Sequence, residues 1–118
     1  MKTFLAVYLG SVNSPGHAQW DKLDEAARQK RVAEGMAAWG EWMVKHQNAV
    51  VVEGGPLGKT KKASAQGVSD VRNNMSGFVV VRAETHEAAA RMFENHPHFM
   101  IFPGDCVEIM ECLPIPGR

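Results

Sequence analysis

Four short apolar runs constrain the fold of this chain most. The first and the last of the three segments between these runs have helical periodicity. The runs lie at residues 2–9, 49–53, 76–83 and 105–113. Their content of β-branched and aromatic residues is typical of strands. A long helix is expected from Asp21 or Asp24 to about His46, and a second helix of about ten residues after the N-cap Thr85. The order β-α-β-β-α-β predicts a ferredoxin-like α+β fold, in which a four-stranded antiparallel sheet carries both helices on one face.

The first helix is expected to place one apolar face against the sheet. The residues assigned to this face recur mostly at intervals of three to five: Leu23, Ala27, Val32, Met36, Trp39 and Met43. Gly35 and Gly40 lower helix propensity and therefore predict close packing at both positions. A break in the helix near Gln29 remains an alternative.

The remaining segments are expected to be loops, a hairpin and a shorter helix. Residues 10–16 are rich in Gly, Ser, Asn and Pro and predict a loop, whereas 59–70 predict a hairpin or a mobile loop. In the second helix, Pro97 is expected to end the helix. The residues expected to face inward are Ala88, Ala89, Met92 and Phe93.

Strands two and three predict that the chain pairs with a second copy. They are apolar almost throughout and do not alternate with polar residues. Such strands require cover on both faces of the sheet, but the helices cover only one. Face-to-face packing of two sheets in a homodimer supplies the other cover.

The composition predicts one soluble domain spanning residues 1–118. Thirteen basic residues balance thirteen acidic ones, so the chain lacks the basic excess typical of nucleic-acid binding or of attachment to anionic membranes. No apolar run approaches the roughly 20 residues of a membrane span. The start of the chain is interpreted as a first strand rather than a signal peptide, and a cytoplasmic location is expected.

The two cysteines are expected to be reduced thiols. Cys106 and Cys112 lie six residues apart in the last strand. In a regular strand this spacing separates them by about 20 Å, whereas a disulfide needs Cα atoms within about 7 Å.

A series of segments in a fixed order gives the chain a family resemblance. They are residues 1–8 (MKTFLAVY), 54–57 (GGPL), 77–81 (GFVVV), 86–89 (HEAA), 95–97 (NHP) and 104–109 (GDCVEI). In these segments the chain resembles the YCII-related family. The resemblance implies a dimeric α+β barrel and a family whose roles are mostly unassigned. Some relatives look like enzymes of aromatic catabolism, and others accompany regulatory systems.

The chain departs from this family where two of its branches carry motifs. One branch has a histidine on the first helix, but none occurs around Ala38 and Trp39. The same branch has an aspartate before the late proline, where this chain has His96. The Asp-Gly-Pro-Phe motif of another branch is replaced by residues 73–77 (NNMSG). No mechanism is therefore transferred from the family.

His96 and His98 are the candidate catalytic residues, because histidine exchanges protons near neutral pH. They flank Pro97 at the junction between the second helix and the last strand, where loops often border pockets. The alternative is a turn with two half-exposed polar side chains. Two histidines are too few for a typical zinc site, so no metal site and no cofactor are predicted.

Five further residues are candidates for ligand binding. Tyr8, Trp39 and Trp42 could form aromatic walls, although the tryptophans could instead pack on the sheet and at a dimer seam. Arg82 could bind a carboxylate or lie at the solvent-exposed end of its strand. Asp105 lies close to the His96–His98 turn in sequence.

Two functions remain open from the sequence. The first is a domain that binds or acts on a small aromatic or carboxylated metabolite in a pocket near the His96–His98 turn. The alternative is a non-catalytic dimeric accessory domain without a reactive centre. Whether the protein is an enzyme is left undecided. A third and weaker interpretation, a cofactor-free oxygenase or haem-degrading enzyme, lacks a recognisable ligand set.

Overall fold

A computed structural model describes residues 1–117, so Arg118, the last residue of the expected domain, lies outside the description. Six strands and four helices follow one another along these residues. They are β1 (Lys2–Leu9), α1 (Pro15–Asp21), α2 (Glu25–Lys45), β2 (Val50–Pro56), β3 (Thr60–Ser64), β4 (Gly67–Val71), β5 (Met75–Ala83), α3 (His86–Arg91), α4 (Pro97–Met100) and β6 (Cys106–Glu111).

The main sheet has the topology expected of a ferredoxin-like α+β fold. Its four strands are ordered β2-β5-β1-β6, and every neighbouring pair is antiparallel. β3 and β4 form a separate two-stranded hairpin, as expected for residues 59–70. The register pairs Phe4 with Val81 and Tyr8 with Gly77 across the two central strands.

The hydrophobic core lies on one face of this sheet. Alternate residues of β1 and β5 meet side chains from α2 and α3 and from the turn after α3. The buried core residues are Phe4, Ala6, Tyr8, Trp42, Val79, Val81, Ala83, Ala89 and Phe93. The helices therefore cover one face, and the intervening residues of the central strands, such as Leu5, Val7 and Val80, point to the other face.

Side-chain caps define the starts of the helices. The Asp24 carboxylate accepts a hydrogen bond from the Ala27 N–H at 2.8 Å, and the Thr85 hydroxyl accepts one from the Ala88 N–H at 3.0 Å. Both interactions satisfy N–H groups that a helix leaves unpaired in its first turn. Asp24 is thus the cap of the long helix, and α2 continues without a break at Gln29. The expected loop 10–16 is shorter than predicted, because α1 begins at Pro15.

The inward face of α2 agrees in part with the expected one, since Trp39 and Met43 pack against the core. Gly35 and Trp42 are its buried residues, whereas Val32 and Met36 are 42% and 62% exposed. A Cβ atom on Gly35 would overlap the Phe102 ring, so this glycine permits close packing. The same expectation is wrong for Gly40, where a Cβ atom would meet nothing within 4 Å. The ring of Phe102, far away in sequence, packs against the inward side of the helix at Gly35.

The second helical segment is also shorter than expected. α3 has six residues, and Ala88 is exposed while Ala89 and Phe93 are buried. Pro97 does not end this helix but stands in the first turn of α4. Proline suits that position, because its fixed φ fits a helix and the first N–H groups have no partner within the helix.

The cysteines agree with the expectation of unbridged thiols. Cys106 and Cys112 are both free thiols. Within residues 1–117, none of the helices combines the length and the apolar character that crossing a bilayer requires.

Candidate functional site

An aromatic cluster gathers around His96 between the sheet and α2. The His96 ring is fully buried. Its centroid lies 4.6 Å from that of Trp39, 5.1 Å from those of Trp42 and Tyr8, and 5.8 Å from that of Phe93. The structure thus brings together Tyr8, Trp39, Trp42 and His96, four residues singled out from the sequence.

The backbone of the α3–α4 junction places His96 in this cluster. Asn95 has a φ of 58°, in the left-handed region, and reverses the chain after α3. Asparagine tolerates this conformation better than most residues other than glycine. His96 then caps α4, since its Nδ1 accepts a hydrogen bond from the His98 N–H at 3.0 Å.

This hydrogen bond assigns the tautomer of His96. Because Nδ1 accepts, the proton of the neutral ring lies on Nε2, 3.4 Å from the Tyr8 hydroxyl, and is donated to it. Burial, and secondarily the neighbouring His98 and His46, lowers the pKa of His96 to about 4. His96 is therefore uncharged at neutral pH and orients the Tyr8 hydroxyl. Burial also raises the pKa of Tyr8, which keeps that hydroxyl protonated.

His98 is held by backbone groups of the strand ends. Its Nε2–H donates to the Leu9 carbonyl at 2.8 Å, and the Gly104 N–H donates to the His98 carbonyl at 2.9 Å. A Cβ atom on Gly104 would overlap the His98 ring, so only glycine permits this approach. The contact ties the end of β1 to the loop before β6.

A cleft of about 510 Å³ opens beside this cluster, between α2 and the bent end of β2. We call it the Tyr8 cleft. It is lined by Tyr8, Met36, Trp39, Met43, Glu53, Gly54, Gly55, Pro56, Ser76, Gly77, Phe78, Val79 and Phe102. Its size falls within the range of about 300–1,000 Å³ that is typical of small-molecule sites, which are predominantly apolar with a few polar groups.

The predicted site residues divide between this cleft and other places. Tyr8 and Trp39 line the cleft, whereas His96 and His98 do not and are separated from it by the Tyr8 side chain. Trp42 lies in the core, and its Nε1–H donates to the Met92 carbonyl at 2.8 Å.

Arg82 and Asp105 lie away from the cleft. Arg82 alternates with core residues of β5, and its guanidinium donates to the Asn48 carbonyl at 3.0 and 3.2 Å. Asp105 is exposed, and its carboxylate accepts from the Ser11 N–H at 2.9 Å. Arg82 thus fastens the turn before β2 to β5, and Asp105 joins the loop before β6 to the loop after β1.

Sequence reasoning missed the rim of the cleft formed by residues 53–56. Gly54 has a φ of 66°, and a Cβ atom there would overlap the Phe78 carbonyl. The β2–β5 pairing is irregular before and after Val52, which bends the edge strand away from a regular ladder. The Gly-Gly-Pro sequence was the available signal for this bend, but it does not show what the bend encloses.

A wider and more open depression of about 1130 Å³ lies at the base of the β3–β4 hairpin. Its lining includes Lys59, Lys61, Asp70 and Arg72, but none of the residues predicted as a site. Within residues 1–117, no three His, Cys, Asp or Glu side chains are grouped so that they could hold a metal ion.

Comparison with known proteins gives limited information. No family model matches the chain, and no curated protein matches it significantly. Among solved structures, the chain is similar to 5-chloro-2-hydroxyhydroquinone dehydrochlorinase (TftG) from Burkholderia phenoliruptrix AC1100, solved in complex with 2,5-dihydroxybenzoquinone. The two are 18% identical over 92% of this chain and 90% of that chain, with a TM-score of 0.48. The strand order and the packing of the helices on one face of the sheet give the chain a ferredoxin-like α+β fold, and its membership of the YCII-related family stays a prediction.

Proposed function

We propose that this protein binds a small, predominantly apolar aromatic molecule in the Tyr8 cleft. The observation that carries the proposal is the cleft itself, a space of about 510 Å³ with aromatic side chains from β1, α2 and the α4–β6 loop. Flat rings fit such walls, because aromatic pairs favour offset or edge-to-face contacts at centroid distances of about 4.5–7 Å.

Tyr8 is the proposed link between the ligand and the histidines. It lines the cleft, and its hydroxyl accepts the proton donated by His96 Nε2. His96 and His98, predicted as acid/base residues, would then act through Tyr8 as positioning residues. A fixed hydroxyl can orient a polar substituent of a bound ring without itself changing charge.

Blocking the cleft provides the direct test. Met36 lines the cleft and is 62% exposed, so Met36→Trp fills space at its mouth with little loss of core packing. Val44→Trp is the matched control, since Val44 lies on the same helix, is 67% exposed and does not line the cleft.

The probes are the neutral aromatics indole and 2-naphthol. Their binding is measured by the amide chemical shifts of the ¹⁵N-labelled protein. Saturable shifts at residues 53–56 and 76–79 in the parent and in Val44→Trp, but not in Met36→Trp, are expected. Shifts elsewhere, or shifts unaffected by Met36→Trp, would contradict binding in this cleft.

We also propose that the open face of the sheet packs against a second copy of the chain. Leu5, Val7 and Val80 lie on this face, and Met110 pairs with Leu5 from β6. The Cα radius of gyration is 16.3 Å, whereas a compact domain of this length has about 13.5 Å. Every residue from 61 to 70 in the hairpin is exposed. A projecting hairpin beside an apolar sheet suits a dimer in which each hairpin contacts the partner.

The accessory-domain alternative shares this dimer but needs no ligand. The observation that favours it is the hydrogen bonding of the buried His96, whose two ring nitrogens both have partners, as a structural residue also requires. The free thiols support the proposal of a cytoplasmic location. The cleft-blocking experiment separates the two functions, because an accessory domain has no ligand to lose.

A further inference from the structure

The Tyr8 cleft has an unbalanced charge. Of its thirteen lining residues, Glu53 is the only one with an ionisable side chain that is charged at neutral pH. Tyr8 stays protonated there, because burial raises its pKa. Within residues 1–117, no side chain forms an ion pair with Glu53, whereas five other ion pairs are formed in this part of the chain. The cleft thus offers a carboxylate without a cation of its own.

The walls of the cleft also favour positive charge. Trp39 lies between Tyr8 and Phe102, with centroid distances of 4.9 and 6.2 Å. The faces of such rings carry a negative potential that attracts ammonium groups within about 6 Å. The sulfur atoms of Met36 and Met43 are polarisable and add no charge.

The one arginine considered for anion binding does not alter this balance. Arg82 is outside the cleft lining, and its guanidinium already donates to the Asn48 carbonyl. A carboxylate ligand would therefore enter a site that holds a like charge and no counter-charge. Such a juxtaposition disfavours binding.

We infer that the Tyr8 cleft selects an aromatic organic cation, such as an arylalkyl amine, over the corresponding carboxylate, and that Glu53 determines this selectivity. The inference rests on the proposed function, since it needs a ligand in this cleft. Glu53 is exposed, so water and salt weaken its attraction. Exposed ion pairs of this kind change affinity by about 1.5- to 5-fold, and an exposed cation–π contact adds a factor of about 2 to 5.

Three ligands of nearly equal size but different charge test the inference at pH 7 and low salt. They are 2-phenylethylamine, 2-phenylethanol and 3-phenylpropionate, and their affinities are measured by NMR titration of the full chain. In the parent, the amine is expected to bind about tenfold more tightly than the carboxylate, with the alcohol between them. In Glu53→Gln this ratio should fall by about 1.5- to 5-fold, the share of the ion pair, while the affinity for the alcohol stays the same. Glu41→Gln, an exposed change on α2 outside the cleft, should keep the ratio of the parent.

The outcomes separate this inference from the proposed function. Binding of all three ligands in the cleft without preference, or with preference for the carboxylate, would overturn the inference and leave the proposed function standing. A preference for the amine that is unchanged in Glu53→Gln would overturn the role of Glu53. Failure of all three ligands to shift resonances of the cleft at millimolar concentration would overturn both proposals.

Discussion

The hydroxyl of Tyr8 lies 3.4 Å from Nε2 of His96, although the two residues are 88 positions apart in the chain. Tyr8 comes from the first strand, and His96 comes from the turn before α4. Their contact joins the floor of the cleft to the buried histidine turn. A change at either residue should therefore affect both stability and the cleft.

We expect Tyr8→Phe to destabilise the protein by about 1–2 kcal/mol, because it leaves the buried His96 Nε2–H without its acceptor. Urea denaturation at pH 7 measures the loss. The same substitution in a His96→Leu background should cost about 1 kcal/mol less, since no N–H is then left unpaired. Equal costs in the two backgrounds would show that the contact contributes nothing to folding.

The low pKa of His96 predicts that stability falls as the solution is acidified. The folded ring has a pKa of about 4, whereas an unfolded histidine titrates near about 6.5. Above about pH 6.5 the His96 ring is uncharged in both the folded and the unfolded state, so the contribution of the ring to folding is complete. Between the two values only the unfolded state binds the proton, and stability is lost as the pH falls. The loss is complete below pH 4 and amounts to at most about 3–4 kcal/mol, at about 1.4 kcal/mol per pKa unit.

Urea denaturation between pH 7.5 and pH 4 measures this dependence. His96→Gln should have a visibly shallower slope than the parent. His46 keeps part of the slope, because burial and Lys45 lower its pKa as well. Val81→Ala is the control, because it destabilises the core without removing an ionisable group and should retain the slope of the parent. Identical slopes for the parent and His96→Gln would contradict the prediction.

Gly77→Val should destabilise the fold by about 1–3 kcal/mol, as an overpacked core position does. A Cβ atom at Gly77 would lie 3.1 Å from the Gly55 carbonyl and 3.3 Å from Tyr8 Cδ2, which leaves no room for a branched side chain. Lys61→Ala is the comparison, since Lys61 forms an exposed ion pair with Asp70 at 2.7 Å. Such pairs contribute about 1 kcal/mol or less. Equal melting temperatures of the two variants would be incompatible with this packing.

The proposed dimer predicts that a charge on the open face of the sheet weakens self-association. The parent at micromolar concentration should sediment with twice the mass of one chain. Leu5→Lys should raise the dissociation constant of the dimer at least tenfold. Burying an unpaired ammonium costs several kcal/mol. Val32→Lys is the control, because Val32 is 42% exposed on α2. A monomeric parent, or a dimer indifferent to Leu5→Lys, would contradict this interface.

Local chemistry allowed much of the fold to be predicted from the sequence. Strand β1 begins and ends where its apolar run does, at Lys2 and Leu9. The caps Asp24 and Thr85 also follow from the sequence, because a capping side chain bonds to an N–H only three residues away. The strand order of the main sheet could also be predicted from the sequence, since few topologies fit a β-α-β-β-α-β chain.

Only the tertiary structure decided the burial and the partners of the candidate site residues. The Phe102 ring packs closely against α2 at Gly35, and on the same helix Trp42 enters the core while Met36 lines the cleft. His96 is polar in sequence but fully buried in the fold, because Tyr8 and its own turn satisfy both ring nitrogens. Sequence periodicity describes neighbours within a few residues, whereas burial and charge balance arise from contacts between distant segments.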